Sequence, residues 1–306
     1  MKDGEIVIGL DLGGTKIEAV AARRAPDRSE LDVIVRRRVA TMADRGYEAV
    51  LGATAHLLDE MARSEELDLR RVPIGMGMPG GITRRTGLVK NSNAVCLNGR
   101  PFRDDLQREL GRSIAFDNDA NCFALAEAML GAARAHRDGI VFGVILGTGV
   151  GGGVVVRGDV WPGAQGIAGE WGHHVIHGGG RPCYCGHRGC VECYVSGPAV
   201  EKDYEARAGV RRPLIEIVAR RGQDAHADAA VEEMLEAFGR GLANVIDVLD
   251  PSAVVLGGGV SNQAFLYDEG VARVAHHVFN DELSTPILKH ALGDSAGVLG
   301  AALIAK

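Results

Sequence analysis

Several stretches of this chain pair glycine with groups that hold anions. Asp11-Leu12-Gly13-Gly14-Thr15-Lys16 sets backbone without Cβ atoms beside a hydroxyl and a point charge. Such a turn lets N–H groups converge on a phosphate, and Asp11 can hold Mg²⁺ through water. It is not a Walker A loop, which needs four residues between its first glycine and Gly-Lys, nor a dinucleotide Gly-x-Gly-x-x-Gly. A tight hairpin turn explains Gly13 and Gly14 equally well. Gly147-Thr148-Gly149-Val150-Gly151-Gly152-Gly153 repeats the chemistry after an apolar run. Gly257-Gly258-Gly259 is a further cluster, at which a ribose or flat ring can approach the backbone. Each alone reads also as a bulge or turn. Together they favour a nucleotide site.

Two other clusters carry chemistry. Asp117-Asn118-Asp119-Ala120-Asn121 lies between a strand pattern and a helix pattern, where a carboxylate can face a cleft and act as a general base. The same residue types are the favoured helix N-caps. Cys183, Cys185, Cys190 and Cys193 fall close together, with His173, His174, His177 and His187 nearby. One residue separates Cys183 from Cys185 and four separate Cys185 from Cys190, with Gly186 and Gly189 to bend the chain. Three thiolates and an imidazole make a tetrahedral zinc set, and spacing leaves the fourth ligand open among the histidines and Cys193. Reduced surface thiols are the bland alternative.

These residues need elements to carry them. Apolar runs predict strands at 5–12, 17–22, 31–39, 72–78, 113–116, 140–146, 152–156 and 253–256. Helical spacing predicts helices at 47–64, 102–110, 120–134, 229–249, 264–279 and 296–305. Both halves begin with a strand, a glycine and threonine turn, and a second strand, which suggests a duplicated α/β domain with a cleft. The boundaries expected are 1–117 plus 292–306 for a smaller lobe and 118–291 for a larger one. The 306 residues carry 34 Lys+Arg against 40 Asp+Glu, a net charge of −6. That balance argues against a nucleic-acid or membrane surface as partner. No apolar run is long enough to span a bilayer. Met1-Lys2-Asp3-Gly4-Glu5 runs straight into a strand pattern, so no signal peptide and a cytoplasmic location are expected. Glycine, at 43 residues, is about double its usual share, without the repeat of collagen.

The ordered set of motifs resembles the ROK (repressor, open reading frame, kinase) family. It comprises Asp-Leu-Gly-Gly-Thr-Lys, Gly-Met-Pro-Gly-Gly, Asn-Asp-Ala-Asn, Gly-Thr-Gly-Val-Gly-Gly-Gly, Glu-Trp-Gly-His, Cys-Tyr-Cys-Gly-His-Arg-Gly-Cys-Val-Glu and Gly-Gly-Gly. The resemblance spans residues 9 to about 300 and implies the two-lobed, actin-like (ribonuclease H-like) sugar kinase fold. It implies that Asp11, Gly13, Gly14, Thr15 and Lys16, with Gly147, Thr148 and Gly149, flank the phosphates of ATP and Mg²⁺. Gly257, Gly258 and Gly259 then lie near the adenosine. It selects Asp119 as the base and Asn118 as a sugar ligand, with Asp117 outside the matched core. It selects His173 with Cys183, Cys185 and Cys190 as ligands of a structural Zn²⁺, and leaves Cys193 free. Gly80, Asn93, Glu170, His173 and Glu192 match sugar-contact positions, although turn chemistry or solvated loop charge explains these types too.

What the resemblance implies is ATP-dependent phosphorylation of a hexose, most simply at the 6-hydroxyl, by a homodimer acting on small molecules. Within the family, Val89-Lys90-Asn91-Ser92-Asn93, Leu97-Asn98-Gly99-Arg100-Pro101-Phe102, Pro182-Cys183-Tyr184-Cys185-Gly186 and Gly293-Asp294-Ser295 are most similar to bacterial fructokinases. Fructose is therefore the first expectation, with N-acetylglucosamine or glucose as alternatives. Cys96 stands where that branch commonly has Trp. Family members that act as repressors add a helix-turn-helix before the first phosphate turn, and the start at Asp11 leaves no room for one. A non-catalytic sugar sensor would not need Asp119 together with both phosphate turns.

Overall fold

Buried apolar runs and helical-period runs alternate along the chain. The computed structural model, which describes residues 4–306, turns them into two five-stranded sheets, one two-stranded sheet and the helices that cover them. Residues 1–3, part of the stretch read as lacking a signal peptide, lie outside those described. In chain order the strands are β1 (Glu5–Leu12), β2 (Lys16–Arg24), β3 (Leu31–Ala40), β4 (Ile74–Met78), β5 (Gly81–Ile82), β6 (Val89–Lys90), β7 (Ala115–Asn118), β8 (Ile140–Leu146), β9 (Val150–Val156), β10 (Asp159–Val160), β11 (Ala253–Gly257) and β12 (Ile287–Lys289). The α-helices are α1 (Tyr47–Ser64), α2 (Phe102–Leu110), α3 (Asp119–Met129), α4 (Glu192–Val195), α5 (Gly197–Ala208), α6 (Leu214–Ala219), α7 (Ala225–Leu249), α8 (Glu269–His277) and α9 (Ala296–Ile304).

The two large sheets share one topology. The first runs β3-β2-β1-β4-β7 and the second β10-β9-β8-β11-β12. In each, the first three strands are antiparallel and the last two join in parallel. The suspected duplication is therefore real at the level of strand order. Central strands β1, β4, β8 and β11 are apolar and buried nearly throughout, as strands covered on both faces must be. Edge strand β3 instead alternates and carries three consecutive arginines, Arg36 to Arg38.

The chain divides into two compact units, Met1–Arg134 with Pro162–Ile167 and Asp294–Lys306, and Ala135–Trp161 with Ala168–Gly293. The sequence reading placed the first boundary at 117. The compact division falls after α3, because α3 packs on α9, and α9 packs on β1 and β4. Glycines permit that packing. A Cβ at Gly75 would collide with the Ala301 carbonyl, and one at Gly300 with the Cys122 carbonyl. Part of the glycine excess thus serves helix-on-sheet contact. Cys122, isolated in sequence, is buried in this layer.

The second unit is built on α7. Ala227, Ala230, Val231, Met234, Leu235, Phe238, Leu242, Val245 and Ile246 form its buried stripe at helical spacing. Asp224 caps it, accepting from the backbone N–H groups of His226 and Ala227. The helix predicted over 264–279 breaks at Asp268, leaving a short 3₁₀ segment before α8. That predicted to reach 134 ends at Met129. There Glu127 turns its carboxylate onto the Ala132 N–H, in space that a side chain on Gly131 would fill. Among the described residues, no helix is long and apolar enough to cross a membrane.

Candidate functional site

In the first unit the Gly13-Gly14 turn joins β1 to β2. Gly13 N–H donates to the Lys16 carbonyl at 2.8 Å, and the Thr41 hydroxyl donates to the Gly13 carbonyl at 2.7 Å. Nothing at Gly14 comes nearer to an added Cβ than 3.5 Å, and that atom is Asn93 Oδ1. Neither packing nor a positive φ demands glycine at 14, so the turn is open to an approaching group. It also brings Asn93 beside the turn. The residue before it, Ser92, is held by Asn98, whose side chain accepts from Ser92 N–H at 2.9 Å and donates to the Ser92 carbonyl at 2.9 Å. Asn91 adopts φ 57°, so turn chemistry explains it.

Asp11 ends β1 opposite Glu18 on β2. Burial and the neighbouring Glu18 charge push its carboxyl up to about 6, against the pull of Lys16. Glu18 is itself buried and paired with Arg38 at 2.7 Å and Arg36 at 3.3 Å. Asp11 also reaches α9, since a Cβ on Gly297 would stand 2.8 Å from Asp11 Oδ2.

At the end of β7 the alternatives for Asp117, Asn118 and Asp119 separate. Asn118 is the N-cap of α3: its Oδ1 accepts from Ala120 N–H at 2.9 Å. Its Nδ2 donates to the Gly80 carbonyl at 2.7 Å, so the cap also fixes the Pro79-Gly80 turn. Gly80 needs its φ of +76°, and a side chain there would collide with the Lys90 carbonyl. Asp119 follows as the first helical residue, its Oδ1 accepting from Ala120 N–H at 2.9 Å. Asp117 turns the other way. Its Oδ1 accepts from Asn118 N–H at 2.8 Å and Asn121 Nδ2 at 2.7 Å, and burial raises its carboxyl despite both bonds. Asp117 therefore braces the junction, while Asn118 caps the helix and Asp119 begins it.

In the second unit the corresponding turn joins β8 to β9. Gly147 N–H donates to the Gly149 carbonyl at 2.9 Å, and an added Cβ on Gly147 would meet nothing within 4 Å. Glu192, first residue of α4, accepts from Val150 N–H at 2.9 Å through Oε2. A Cβ on Gly149 would sit 2.7 Å from that oxygen. Glu192, expected at the sugar, is thus also tied to the turn expected at the phosphates. Gly152 has another duty: its missing side chain makes room for the Gly169 carbonyl at 2.6 Å and for Trp171. With the Trp171 Nε1 bond to the Gly151 carbonyl at 3.0 Å, this lays the segment of Glu170 and His173 along β9. Of the glycines after β11, Gly258 has φ +81° and would collide with the Leu146 carbonyl, while Gly259 is open.

His173, Cys183, Cys185 and Cys190 do converge, with one donor atom of each within 4.8 Å of all the others. His173 Nδ1 lies 3.5 Å from Cys183 Sγ, and Cys185 Sγ 3.6 Å from Cys190 Sγ. Three thiols and one imidazole at this spacing fit a tetrahedral zinc ion. Cys193 is not one of the four, and its thiol donates to the Pro182 carbonyl at 3.6 Å. His177 stacks on Tyr194, and His187 stands outside the cluster with Nδ1 3.5 Å from Cys185 Sγ. Burial pushes the Cys190 thiol up to about 12. Burial acts on Cys185 in the same direction, but bonds from His187 outweigh it and bring that thiol down to about 6.

The loop carrying these ligands is pinned by isolated bridges Val175–Cys190 and Pro182–Arg188. It is also pinned by Arg181, a residue that spacing did not single out. Its guanidinium donates to the Cys193 carbonyl at 3.0 Å, to Asp203 on α5 at 2.6 Å and to Glu233 on α7 at 2.8 Å, and lies over the Tyr194 ring. Only the pairing of an arginine with distant acidic helix faces could have signalled it.

Known proteins share this arrangement along its length. The sequence model of the ROK family matches residues 7–306. An N-acetyl-D-glucosamine kinase of Vibrio cholerae is 36% identical over 309 residues, spanning 97% of this chain and 98% of that protein. Another, from Photobacterium profundum, is 36% identical over 307 residues, with the same shares covered. Among solved structures, a ROK hexokinase from Thermus thermophilus superposes with a TM-score of 0.86 at 33% identity, over 98% of this chain and 97% of that one. A ROK glucokinase from Streptomyces griseus, solved with glucose and AMPPNP, gives 0.74 at 28% identity, over 98% and 99%. The α/β fold is accordingly the two-lobed, actin-like one that the motifs implied. The expected closeness to fructokinases finds no support in these relatives, which favour the N-acetylglucosamine alternative.

Proposed function

The chain belongs to the ROK family and is an ATP-dependent hexose kinase, and we propose that its acceptor is N-acetyl-D-glucosamine, phosphorylated at the 6-hydroxyl. The observation that carries this reading is the full-length similarity to two N-acetyl-D-glucosamine kinases. It replaces fructose as the first expectation.

Each unit has its share of the work in this reading. In the first, Asp119 receives the proton of the acceptor hydroxyl as it attacks the γ-phosphate. Asn118, fixed by its cap bond and its bond to Gly80, holds the sugar beside Asp119, together with Gly80 and Asn93. Asp11 supports Mg²⁺ through water, and Gly13, Gly14, Thr15 and Lys16 take the phosphates. In the second, Gly147, Thr148 and Gly149 complete the phosphate cradle and Gly257, Gly258 and Gly259 meet the nucleoside. Glu170, His173 and Glu192 accept and donate hydrogen bonds to sugar hydroxyls. Zinc, when bound, supplies loop rigidity; His173, Cys183, Cys185 and Cys190 hold it. What supports that role is that two of the sugar residues flank the thiols in sequence while His173 belongs to both sets.

A coupled ADP-release assay across N-acetylglucosamine, fructose, mannose and glucose tests the assignment. The highest kcat/KM is expected for N-acetylglucosamine. A higher value for fructose would restore the fructokinase reading, and no ADP release with any sugar would overturn both.

A further inference from the structure

Tyr184 stands between two of the converging thiols, Cys183 and Cys185, so the loop fixes its backbone on both sides. It is nevertheless 70% exposed, an expensive place for a large aromatic with no core to join. Its hydroxyl lies 2.9 Å from His173 Nε2, and the two rings meet edge to face with centroids 5.0 Å apart. His173 turns its other nitrogen, Nδ1, toward the thiols. With Nδ1 given to the cluster, Nε2 is the nitrogen left to bind anything else, and it carries the proton. Tyr184 already occupies it. A phenol is neutral near pH 7, and its oxygen is able to accept from Nε2. Glu170 and Glu192, the two carboxylates assigned to the sugar, are its electrostatic neighbours.

We propose that Tyr184 is a placeholder for the sugar: its hydroxyl holds His173 Nε2 in the empty site and yields that donor to a hydroxyl of the hexose. The inference rests on the reading above, in which His173 holds the hexose. Every binding event then breaks one internal hydrogen bond before it makes its own. The apparent affinity is reduced by the fraction of molecules in which Tyr184 holds the donor. Tyr184 is thus a positioning residue that acts through His173. It sets how tightly sugar binds and leaves phosphoryl transfer untouched.

Tyr184→Phe, made in the full chain with its zinc content measured, keeps the ring contact and removes the competing oxygen. Sugar Kd and KM should both fall about three- to tenfold, the size of one net hydrogen bond, while kcat and the KM for ATP stay unchanged. A tyrosine with only a structural role would give unchanged or weaker sugar binding, and that result, at full zinc content, overturns the proposal. Glu170→Gln and Glu192→Gln tell the two failures apart. If both leave sugar affinity intact, the sugar site itself is misassigned. If both weaken it while Tyr184→Phe fails to strengthen it, the placeholder alone is wrong. Should Tyr184→Phe not fold, the ¹⁵N resonance of His173 Nε2 in the unaltered protein decides. It must move on addition of N-acetylglucosamine, and a fixed resonance at saturating sugar rejects the exchange.

Discussion

The two glycine and threonine turns sit in sheets of identical strand order, yet they are finished differently. The turn between β1 and β2 closes through the Gly13 to Lys16 bond and is held by Thr41, whose hydroxyl donates to the Gly13 carbonyl and whose N–H donates to the Thr15 carbonyl at 3.0 Å. It carries its own charges, Asp11 and Lys16. The turn between β8 and β9 closes likewise, through the Gly147 to Gly149 bond, but carries no charge of its own and is also held by Glu192 and by Gly197 N–H, which donates to the Gly147 carbonyl at 3.0 Å. The duplicated frame has diverged in what it presents: the first turn carries charged groups of its own, while the second is tied to residues distant in sequence, a division that the proposed function reads as chemistry and recognition. Their glycines differ too. Gly14 and Gly147 are open positions, whereas Gly152 and Gly258 are demanded by neighbouring backbone.

Substitutions can break this division. The largest effect is expected from Asp119→Asn, which should lower kcat by about 10²- to 10⁴-fold with the melting temperature unchanged. Near-normal turnover would remove the chemistry from the first unit. Next is Asp11, whose carboxyl stands at about 6 against an ordinary 3.8. A raised carboxyl contributes stability that is complete below about pH 3.8 and lost as pH rises through about 6. The ionised group then burdens the fold by about 3 kcal/mol relative to its protonated form. Asp11→Asn should therefore be more stable than the parent in urea at about pH 8, with the gain vanishing near pH 3.5.

The glycine contrast gives a third test. Gly258→Ala should cost about 1–3 kcal/mol of stability, since its positive φ and the Leu146 carbonyl both oppose a side chain. Gly147→Ala should leave the melting curve alone and raise the KM for ATP by about tenfold. Equal melting temperatures for the pair would contradict the distinction. The smallest shift is expected from Glu192→Gln. It keeps the size of the side chain but weakens a charge-assisted bond to Val150 N–H. The KM for the sugar should rise several-fold and that for ATP less, measured in the same coupled assay.

Much of this was legible in the residues. β1, α2 and β8 fall where apolar runs and helical spacing put them, because the two strands are mostly buried and α2 buries Phe102 and Leu106, one turn apart. The Cys/His cluster was half legible. Thiol spacing marked the cluster, but only folding turns Cys193 toward the Pro182 carbonyl and His173 toward Cys183. The tie between Glu192 and Val150 joins groups 42 residues apart and leaves no periodic trace. Spacing alone favoured a cap role for each of Asp117, Asn118 and Asp119. Folding gives the cap to Asn118, since one helix start has one N-cap position. The glycine excess was legible as a number and misleading as a single cause, because packing glycines such as Gly75 and Gly300 look the same in sequence as those open to a ligand.

The way α9 covers β1 and β4 bears on how the molecule is made. Arg24 on β2 donates to the Ala302 carbonyl across 278 residues of chain. During synthesis the first sheet emerges early, but the helix that seals it arrives only after the whole second unit has been translated. The intervening segment can fold by itself meanwhile, being compact in its own right. The first sheet must wait with an uncovered apolar face, which makes it the part of the nascent chain that a ribosome-associated chaperone would need to shield.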